Sequence, residues 1–508
     1  MAIYDFNHEH VTGTSDLKSK LGGKGAGLNQ MTREGMPVPE GFTITCGDHN
    51  YTKNKMHNKV NQMAYAVKRS FNGLDAKAPM ILSVRSGAPV SMPGMMDTIL
   101  NLGLNPQNVE VFASEVGEDS AYACFRRFTE FWADIIKGMG HDEVKSISRV
   151  ASMVSLTEDH PDLAVAKFWF DRLDIPFSPI FQLEEAIDAV FQSWNSEAAK
   201  QYRQLEGISG SIGTAVNVQR MVFGNLDDNS ATGVVFSRCP NTGNKVRYGD
   251  FLIKAQGEDV VDGSHTTERH QDLVNHENFK TAAEELEVLI ESLEKSNADM
   301  VDIEYTIESG KLYILQSRVG KRTPNAHIAI TNDLLDEGII TQSEAKERLA
   351  KKLEEPKDET LNVASNMEEL DNMNPAIKDE DIEVIEGTMA TPGFGAGKIV
   401  RHAHLAPHGG PEAFVEKFGP YILAEVLTTP DMTSSMRFAS AIITQTGGVV
   451  SHAAVVSRAW GKPCIVGAQE LDLVLFGPSS GRYGAIENEK FILMPQGSHL
   501  IIATKKEG

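Results

Sequence analysis

The chain has 508 residues, 41% hydrophobic and 23% charged, the composition of an ordinary globular protein with roughly three to four domains. Its 70 acidic and 48 basic residues leave a net charge of −22, which argues against nucleic acid or an anionic membrane as the main partner. Nucleotide binding stays open, because a phosphate site needs only a few local donors. The N-terminus has neither the basic start nor the apolar stretch of a signal peptide, and no apolar run is long enough to span a bilayer. Cys46, Cys124, Cys239 and Cys464 are far apart, with no CxxC pair. A reducing cytoplasm is therefore the expected location.

Residues 1–320 mix β-like runs, glycine-rich turns and a helical middle. Gly22-Gly23-Lys24-Gly25-Ala26-Gly27 reads as a glycine loop around one lysine. It has neither the Walker spacing nor GxGxxG, so by itself a flexible surface turn is at least as good a reading. Residues 81–85 and 214–218 read as strands from their β-branched content. Arg85 ends the first of these beside a glycine turn, where a guanidinium can grip a phosphate bidentately or simply pair with an acidic neighbour. The methionines of Ser91-Met92-Pro93-Gly94-Met95-Met96-Asp97 suit adaptable core filling. Between about 107 and 205 the periodicity is helical, clearest over 119–136 and 183–194. Strand signals resume over 212–315.

Val301-Asp302-Ile303-Glu304-Tyr305 alternates polar and apolar, placing Asp302 and Glu304 on one strand face. A return strand follows at 312–318. A three-residue loop with Gly310 in the left-handed region opposes Asp302 to Gln316 and Glu304 to Ile314, gathering Asp302, Glu304, Gln316 and Arg318 on one face. A two-residue loop would put Gln316 on the opposite face. Two carboxylates and an amide oxygen suit Mg²⁺; a solvated hairpin face is the competing reading. Residues 334–353 are helical and charged. The acidic, Pro- and Asn-containing stretch 354–386 reads as a solvated linker. From about Thr388 a β/α module opens on a hinge-like loop, 391–397.

In that module Ala441-Ile442-Ile443 reads as a strand running to the pair Gly447-Gly448, and Ala453 to Trp460 as a helix. Ser451 is the expected N-cap, Gly461 sits at C′, and Pro463 blocks continuation. His452 then stands at a helix mouth, where free N–H groups and the macrodipole favour an anion. A neutral imidazole is a competent nucleophile near neutral pH. A histidine that merely caps the helix is the ordinary alternative.

The string Thr446-Gly447-Gly448-Val449-Val450-Ser451-His452-Ala453-Ala454-Val455-Val456-Ser457-Arg458 closely resembles the phosphohistidine signature of the pyruvate phosphate dikinase and phosphoenolpyruvate synthase family. Residues 21–45, 91–103, 256–261 and the hairpin resemble the dikinase branch as well. The resemblance implies an α/β and α+β multidomain protein. An ATP-grasp nucleotide-binding domain would fill 1–325, with a helical insertion at about 107–205. A helical and acidic linker would fill 326–386, and a swivelling β/β/α phosphohistidine domain 387–508. It implies ATP and Mg²⁺ as cofactors, with Lys24 and Arg85 on ATP phosphate. Glu258, Asp259, Asp302, Glu304, Gln316 and Arg318 would complete the nucleotide site, and Glu304 and Gln316 would hold the metal.

By the same resemblance His452 attacks the β-phosphoryl of ATP, AMP leaves, and inorganic phosphate takes the terminal phosphoryl. One departure matters. The dikinases usually carry Thr two residues before this histidine, a regulatory phosphorylation site in plant members, and here Val450 stands there. The stretch after Val466 is too short for the family's pyruvate- or phosphoenolpyruvate-binding barrel, so partial chemistry is expected. The acceptor would then lie on another domain or chain, with a separate barrel protein as partner; a homodimer is compatible with this. A phosphotransferase of the rifampicin type, or a nucleotide-binding regulator of a full-length dikinase, are the alternatives.

Overall fold

The strand signals resolve into three sheets. The first is antiparallel throughout, in the order Ile3–Asp5, Gly41–Ile44, Ala215–Arg220, Leu82–Gly87, Thr98–Leu102. The second has the order Lys311–Val319, Val301–Glu308, Ala231–Phe236, Tyr248–Ile253, Glu268–Arg269. The third has eight strands. The computed structural model describes residues 3–7, 14–46, 53–71, 78–90, 92, 96, 98–154, 160–205, 207–263, 265–354, 383–471, 473, 483–487 and 490–493. By contacts the chain divides into residues 1–231 with 305–318, and residues 232–304 with 319–508. The division falls inside the segment 1–325.

In the first unit, Val84 and Val218 of the antiparallel sheet share one apolar cluster with Phe112, Phe125, Phe128, Trp132 and Leu183 of the helical middle. The helix Glu118–Phe131 shows why: Ala121, Tyr122, Phe125, Phe128 and Thr129 recur at helical spacing and are all buried. The helix Pro179–Ser193 also forms where the periodicity predicted it. The glycine run at Gly22 is different. It is not a loop: Thr14–Arg33 is helical, broken once at Gly22 (φ 70°, ψ 173°), so residues 23–33 form a helix that restarts there.

The glycines serve close packing. A Cβ on Gly22 would lie 1.5 Å from the Gly87 carbonyl oxygen, and one on Gly25 would lie 2.7 Å from Thr43 Oγ1. A helix can approach the sheet this closely only without side chains at those positions. Met92 is buried with Ala88, Trp194, Ala199 and Tyr202, which is the core-filling role.

In the second unit the eight-stranded sheet runs Glu383–Glu386, Lys490–Leu493, Tyr483–Glu487, Phe394–Val400, Tyr421–Glu425, Ala441–Thr444, Cys464–Val466, Thr388–Thr391. The four strands from Phe394–Val400 to Cys464–Val466 are parallel, and the outer pairings are antiparallel. Ile399, Ile422 and Ile443 enter one apolar cluster while Val400, Leu423 and Ile442 enter another. Strands buried on both faces read as continuous apolar runs, as these do.

Three expectations change. The loop expected at 391–397 is only the turn Pro392-Gly393, because Thr388–Thr391 and Phe394–Val400 are strands. The single charged helix expected over 334–353 is two, Pro324–Asp336 and Gln342–Glu354, separated by Gly338 at φ 70°. The end of the expected linker, Glu383–Glu386, pairs as a strand with Lys490–Leu493; residues 355–382 lie outside the described residues.

No helix among the described residues is long and apolar enough to cross a membrane. The four cysteines are free. Burial pushes the Cys46 thiol up to about 11 and the Cys464 thiol up to about 12.

Arg238, fully buried, ties the second unit together. Its Nη2 donates to Glu294 Oε1 and Glu337 Oε1 at 2.8 Å each, and its Nη1 to Asp333 Oδ2 at 3.1 Å. The network joins the strand Ala231–Phe236 to the helices Lys280–Asn297 and Pro324–Asp336. Glu294 is the one buried carboxylate in it (4% exposed). Removing one partner of a buried pair typically costs about 3–5 kcal/mol, since the other charge stays uncompensated. Glu294→Ala is therefore expected to destabilise the chain by about that amount, read as a fall in denaturant midpoint with little change in slope.

Candidate phosphohistidine site

Tyr421–Glu425 and Ala441–Thr444 are neighbouring parallel strands, so the loops leaving their carboxyl ends emerge side by side. Such edges are where open α/β sheets place ligands. The loops are laced together: Gln445 N–H donates to Glu425 O and Thr446 N–H to Val426 O, both at 2.9 Å. The first loop carries Thr428 and Asp431. The second carries Gly447 to Ser451 and delivers His452 as the first residue of the helix His452–Trp460. That helix closes as the sequence predicts, on Gly461 in the left-handed region (φ 65°). Ser451 occupies the N-cap but its side chain makes no capping bond, and its Oγ is buried without a hydrogen-bond partner.

His452 Nδ1 lies 2.9 Å from Thr428 Oγ1. Nε2 is buried and has no hydrogen-bond partner. Burial drives the imidazole from its ordinary 6.5 down to about 4, outweighing the Asp431 charge and the Thr428 main chain, which pull it up. The ring is therefore neutral at pH 7 and keeps a lone pair, as a nucleophile must.

The sequence 446–451 is fixed from one side by Asp250. The Val449 N–H donates to Asp250 Oδ2 at 2.7 Å, and Arg269 Nη1 to Oδ1 at 3.1 Å. Asp250 is 1% exposed, and burial raises its carboxyl above the usual range against the pull of Arg269, Val449 N–H and Thr267. A Cβ on Gly448 would fall 2.1 Å from Asp250 Oδ2, so only glycine fits. Val449 and Val450 enter an apolar cluster with Phe236, Val260 and Met300. At the far end of the helix, Arg458 is fully buried. Its Nη2 donates to Val449 O (3.0 Å) and Ala390 O (3.1 Å), and its guanidinium stands over Phe236 and Tyr248 at 5.4 and 5.7 Å.

The other expected residues fall as follows. In the first unit, Lys24 sits in the first turn of the restarted helix, and Arg85 is half-buried on Leu82–Gly87. A Cβ on Gly87 would be 3.3 Å from Lys24 Cβ, and Arg85 shares that strand face. Lys24 and Arg85 thus belong to one neighbourhood beside a helix N-terminus.

The hairpin loop is one residue shorter than expected. Strands end at Glu308 and restart at Lys311, leaving Ser309-Gly310 as the loop, with φ 46° and 80°. Two successive positive φ values mark the two-residue turn that matches strand twist. The Ile314 N–H turns outward to Pro37 O at 2.9 Å, as this register requires. At the other end of the pair the Gly320 N–H donates to Met300 O at 3.0 Å, a register one residue removed from that of the turn.

Asp302 and Glu304 remain on one face, and their hard oxygens suit Mg²⁺. Asp302 is 3% exposed, and its charge supports that of Arg458 against burial. Asp259 has a structural duty: its Oδ2 accepts from Gln256 N–H at 2.8 Å in a capping box on Gly257–Val261. Its neighbour Glu258 is half-buried on the same short helix.

The family model described as pyruvate phosphate dikinase, AMP/ATP-binding domain, matches residues 61–278, and that described as PEP-utilising enzyme, mobile domain, matches 419–478. The chain is 39% identical to pyruvate, phosphate dikinase of Clostridium symbiosum over 93% of its own length and 54% of the relative. The chain belongs to the pyruvate phosphate dikinase family. It is also 38% identical to pyruvate, phosphate dikinase 1, chloroplastic, of Arabidopsis thaliana, over 92% of its own length and 49% of that protein. For pyruvate, phosphate dikinase of Giardia intestinalis the identity is 38%, covering 92% and 54%. The chain spans about half the length of these curated relatives. His452 and Thr428 lie within the mobile-domain match, and Arg85, Asp250, Glu258 and Asp259 within the nucleotide-binding match.

The sequence reading missed Thr428, Asp250 and Arg458. Arg458 ends the run that begins at Thr446; the other two become visible only when parallel-strand pairing and loop docking are known.

His452 has its folded-state pKa lowered, so the fold prefers the neutral ring. That preference is fully present above the ordinary value of 6.5 and is lost as pH falls from there toward about 4. The stability lost should be on the order of 2–3 kcal/mol. Thermal melts of the wild-type chain should therefore show a steeper fall in midpoint between pH 6.5 and 4 than melts of His452→Gln; parallel curves would show that His452 does not titrate as described.

Proposed function

We propose that the chain performs the ATP-dependent, phosphohistidine half of a dikinase-type reaction. His452 takes a phosphoryl group from the β-position of ATP, AMP leaves, and the group passes to an acceptor held on another domain or chain. Pyruvate or phosphoenolpyruvate is the proposed acceptor pair, with inorganic phosphate taking the terminal phosphoryl. The finer fold reading goes with this: an ATP-grasp nucleotide-binding domain over 1–325, a linker over 326–386 and a swivelling phosphohistidine domain over 387–508. The observation that carries the reading is His452, held neutral at a helix mouth with one ring nitrogen free of hydrogen bonds.

Each residue has a role in this chemistry. Lys24 and Arg85 bind ATP phosphates, offsetting the charge that builds on the transferring group. Glu304, with Asp302 beside it, would hold Mg²⁺, which when bound supplies further neutralisation of phosphate charge. His452 must meet the phosphorus in line, and burial of Nε2 means that the ring or its module moves before transfer. Val450 has no hydroxyl and is 2% exposed, so control by modification at that position does not operate.

Incubation with Mg²⁺ and ATP labelled on the β-phosphoryl should give an acid-labile, base-stable protein adduct. His452→Ala should abolish it while leaving nucleotide binding, measured by calorimetry, largely intact. Undiminished labelling of that variant would move the nucleophile elsewhere.

Glu304→Gln keeps size and shape but removes charge, and should slow labelling roughly a hundredfold or more. A wild-type rate in this variant, at matched thermal stability, would remove Glu304 from the site.

A further inference from the structure

We propose that Asn217 is a positioning residue for the nucleotide site: its buried amide sets the spacing between the helix start that carries Lys24 and the strand that carries Arg85. The consequence for phosphate binding rests on the proposed function; the packing does not.

Thr43, Asn217 and Arg85 stand in one row of the first sheet. Thr43 is directly opposite Asn217, and Asn217 is directly opposite Arg85, on three neighbouring antiparallel strands. Residues paired in this way put their side chains on one face. The helix of residues 23–33 lies against that face at Gly25, where an added Cβ would fall 2.7 Å from Thr43 Oγ1 and 2.9 Å from Asn217 Oδ1. On the strand side, an added Cβ on Gly87 would fall 2.6 Å from Asn217 Nδ2. One amide therefore fills the space of two missing side chains, one on the helix and one on the strand.

The neighbours fix which way the amide points. The Arg85 carbonyl, 3.5 Å away, can only accept, so it faces Nδ2. Oδ1 is then turned to Thr43, whose hydroxyl donates to it at 2.8 Å. Asn217 is fully buried and Thr43 is 1% exposed, so water does not compete for these bonds. Helix start and strand end also meet directly, the Gly23 N–H donating to Ala88 O at 2.9 Å.

Lys24 rides over this contact, since an added Cβ on Gly87 would be 3.3 Å from Lys24 Cβ. A different side chain at 217 changes the gap between Gly25 and Gly87, and with it the separation of the two cationic residues. Cations that must meet neighbouring phosphates at the same time lose affinity when that separation is wrong.

The test uses the full chain. Calorimetry with Mg²⁺ and the β,γ-imido analogue of ATP reads binding, and hydrogen exchange over residues 21–28 and 83–88 reads the packing without nucleotide. Asn217→Ala should speed exchange in both segments, leave residues 441–460 unchanged, and weaken analogue binding roughly tenfold. In a Lys24→Ala background the same substitution should cost only about twofold, because the side chain it places is gone. Thr43→Val keeps the volume but removes the donor that orients the amide, and should weaken binding about threefold. Thr43→Ser should match the wild type.

Equal losses in the wild-type and Lys24→Ala backgrounds overturn the inference, since a merely structural amide would cost the same in both. Unchanged exchange with unchanged affinity overturns it too. If Asn217→Ala proves unfolded by circular dichroism, Thr43→Val and Thr43→Ser decide by the same two readouts. Faster exchange in both segments, in a chain whose wild type does not bind the analogue, would sink the proposed nucleotide role and leave Asn217 as the residue that seats helix on strand.

Discussion

A carboxylate taken out of water must be given donors, and Asp250 takes one of its donors from the main chain of the loop that precedes His452. That requirement organises the surrounding structure. The Val449 N–H has one place to go, Gly448 must lack a side chain to let the oxygen in, and Val449 and Val450 are carried into the apolar cluster. The helix start then follows with no freedom left. Arg458, one helix length further on, returns to the Val449 carbonyl, so the same residue is held by its N–H at one end and its C=O at the other. The position of His452 is thus set by main-chain hydrogen bonds of the preceding loop more than by its own side chain.

Local signals carried the sequence reading where the structure is local. The strand Ala441–Thr444, the helix His452–Trp460 and its Gly461 terminus were all legible, because caps and periodicity act within a few residues. The run around Lys24 misled because glycine has two uses, freedom of the backbone and absence of a side chain, and sequence alone does not tell them apart. Gly25 is glycine because Thr43 and Asn217 occupy the space of a Cβ, a fact about residues far away in the chain. The hairpin misled by a single residue. Glu308 extends the strand instead of opening the loop.

Thr428 and Asp250 had no signature to find. Thr428 is 24 positions from His452 and meets it only because two parallel strands end side by side. Asp250 is 199 positions from Val449. The family resemblance pointed to His452 and to the likeness of the nucleotide segment; it did not supply what orients the His452 ring. That information resides in the packing of one loop against another.

The state of the cysteines has a practical consequence. Cys464 is buried and Cys46 half-buried, with thiols held at about 12 and about 11, and Cys124 and Cys239 are buried as well. At neutral pH the reactive thiolate of Cys46 is present in only on the order of one molecule in ten thousand. Maleimide and nitroxide reagents will therefore pass over the native sulphurs. A pair of cysteines introduced on exposed positions, one on each side of residues 355–382, would carry fluorophores or spin labels on an otherwise silent background, and the separation of the two labels could be followed while nucleotide is added.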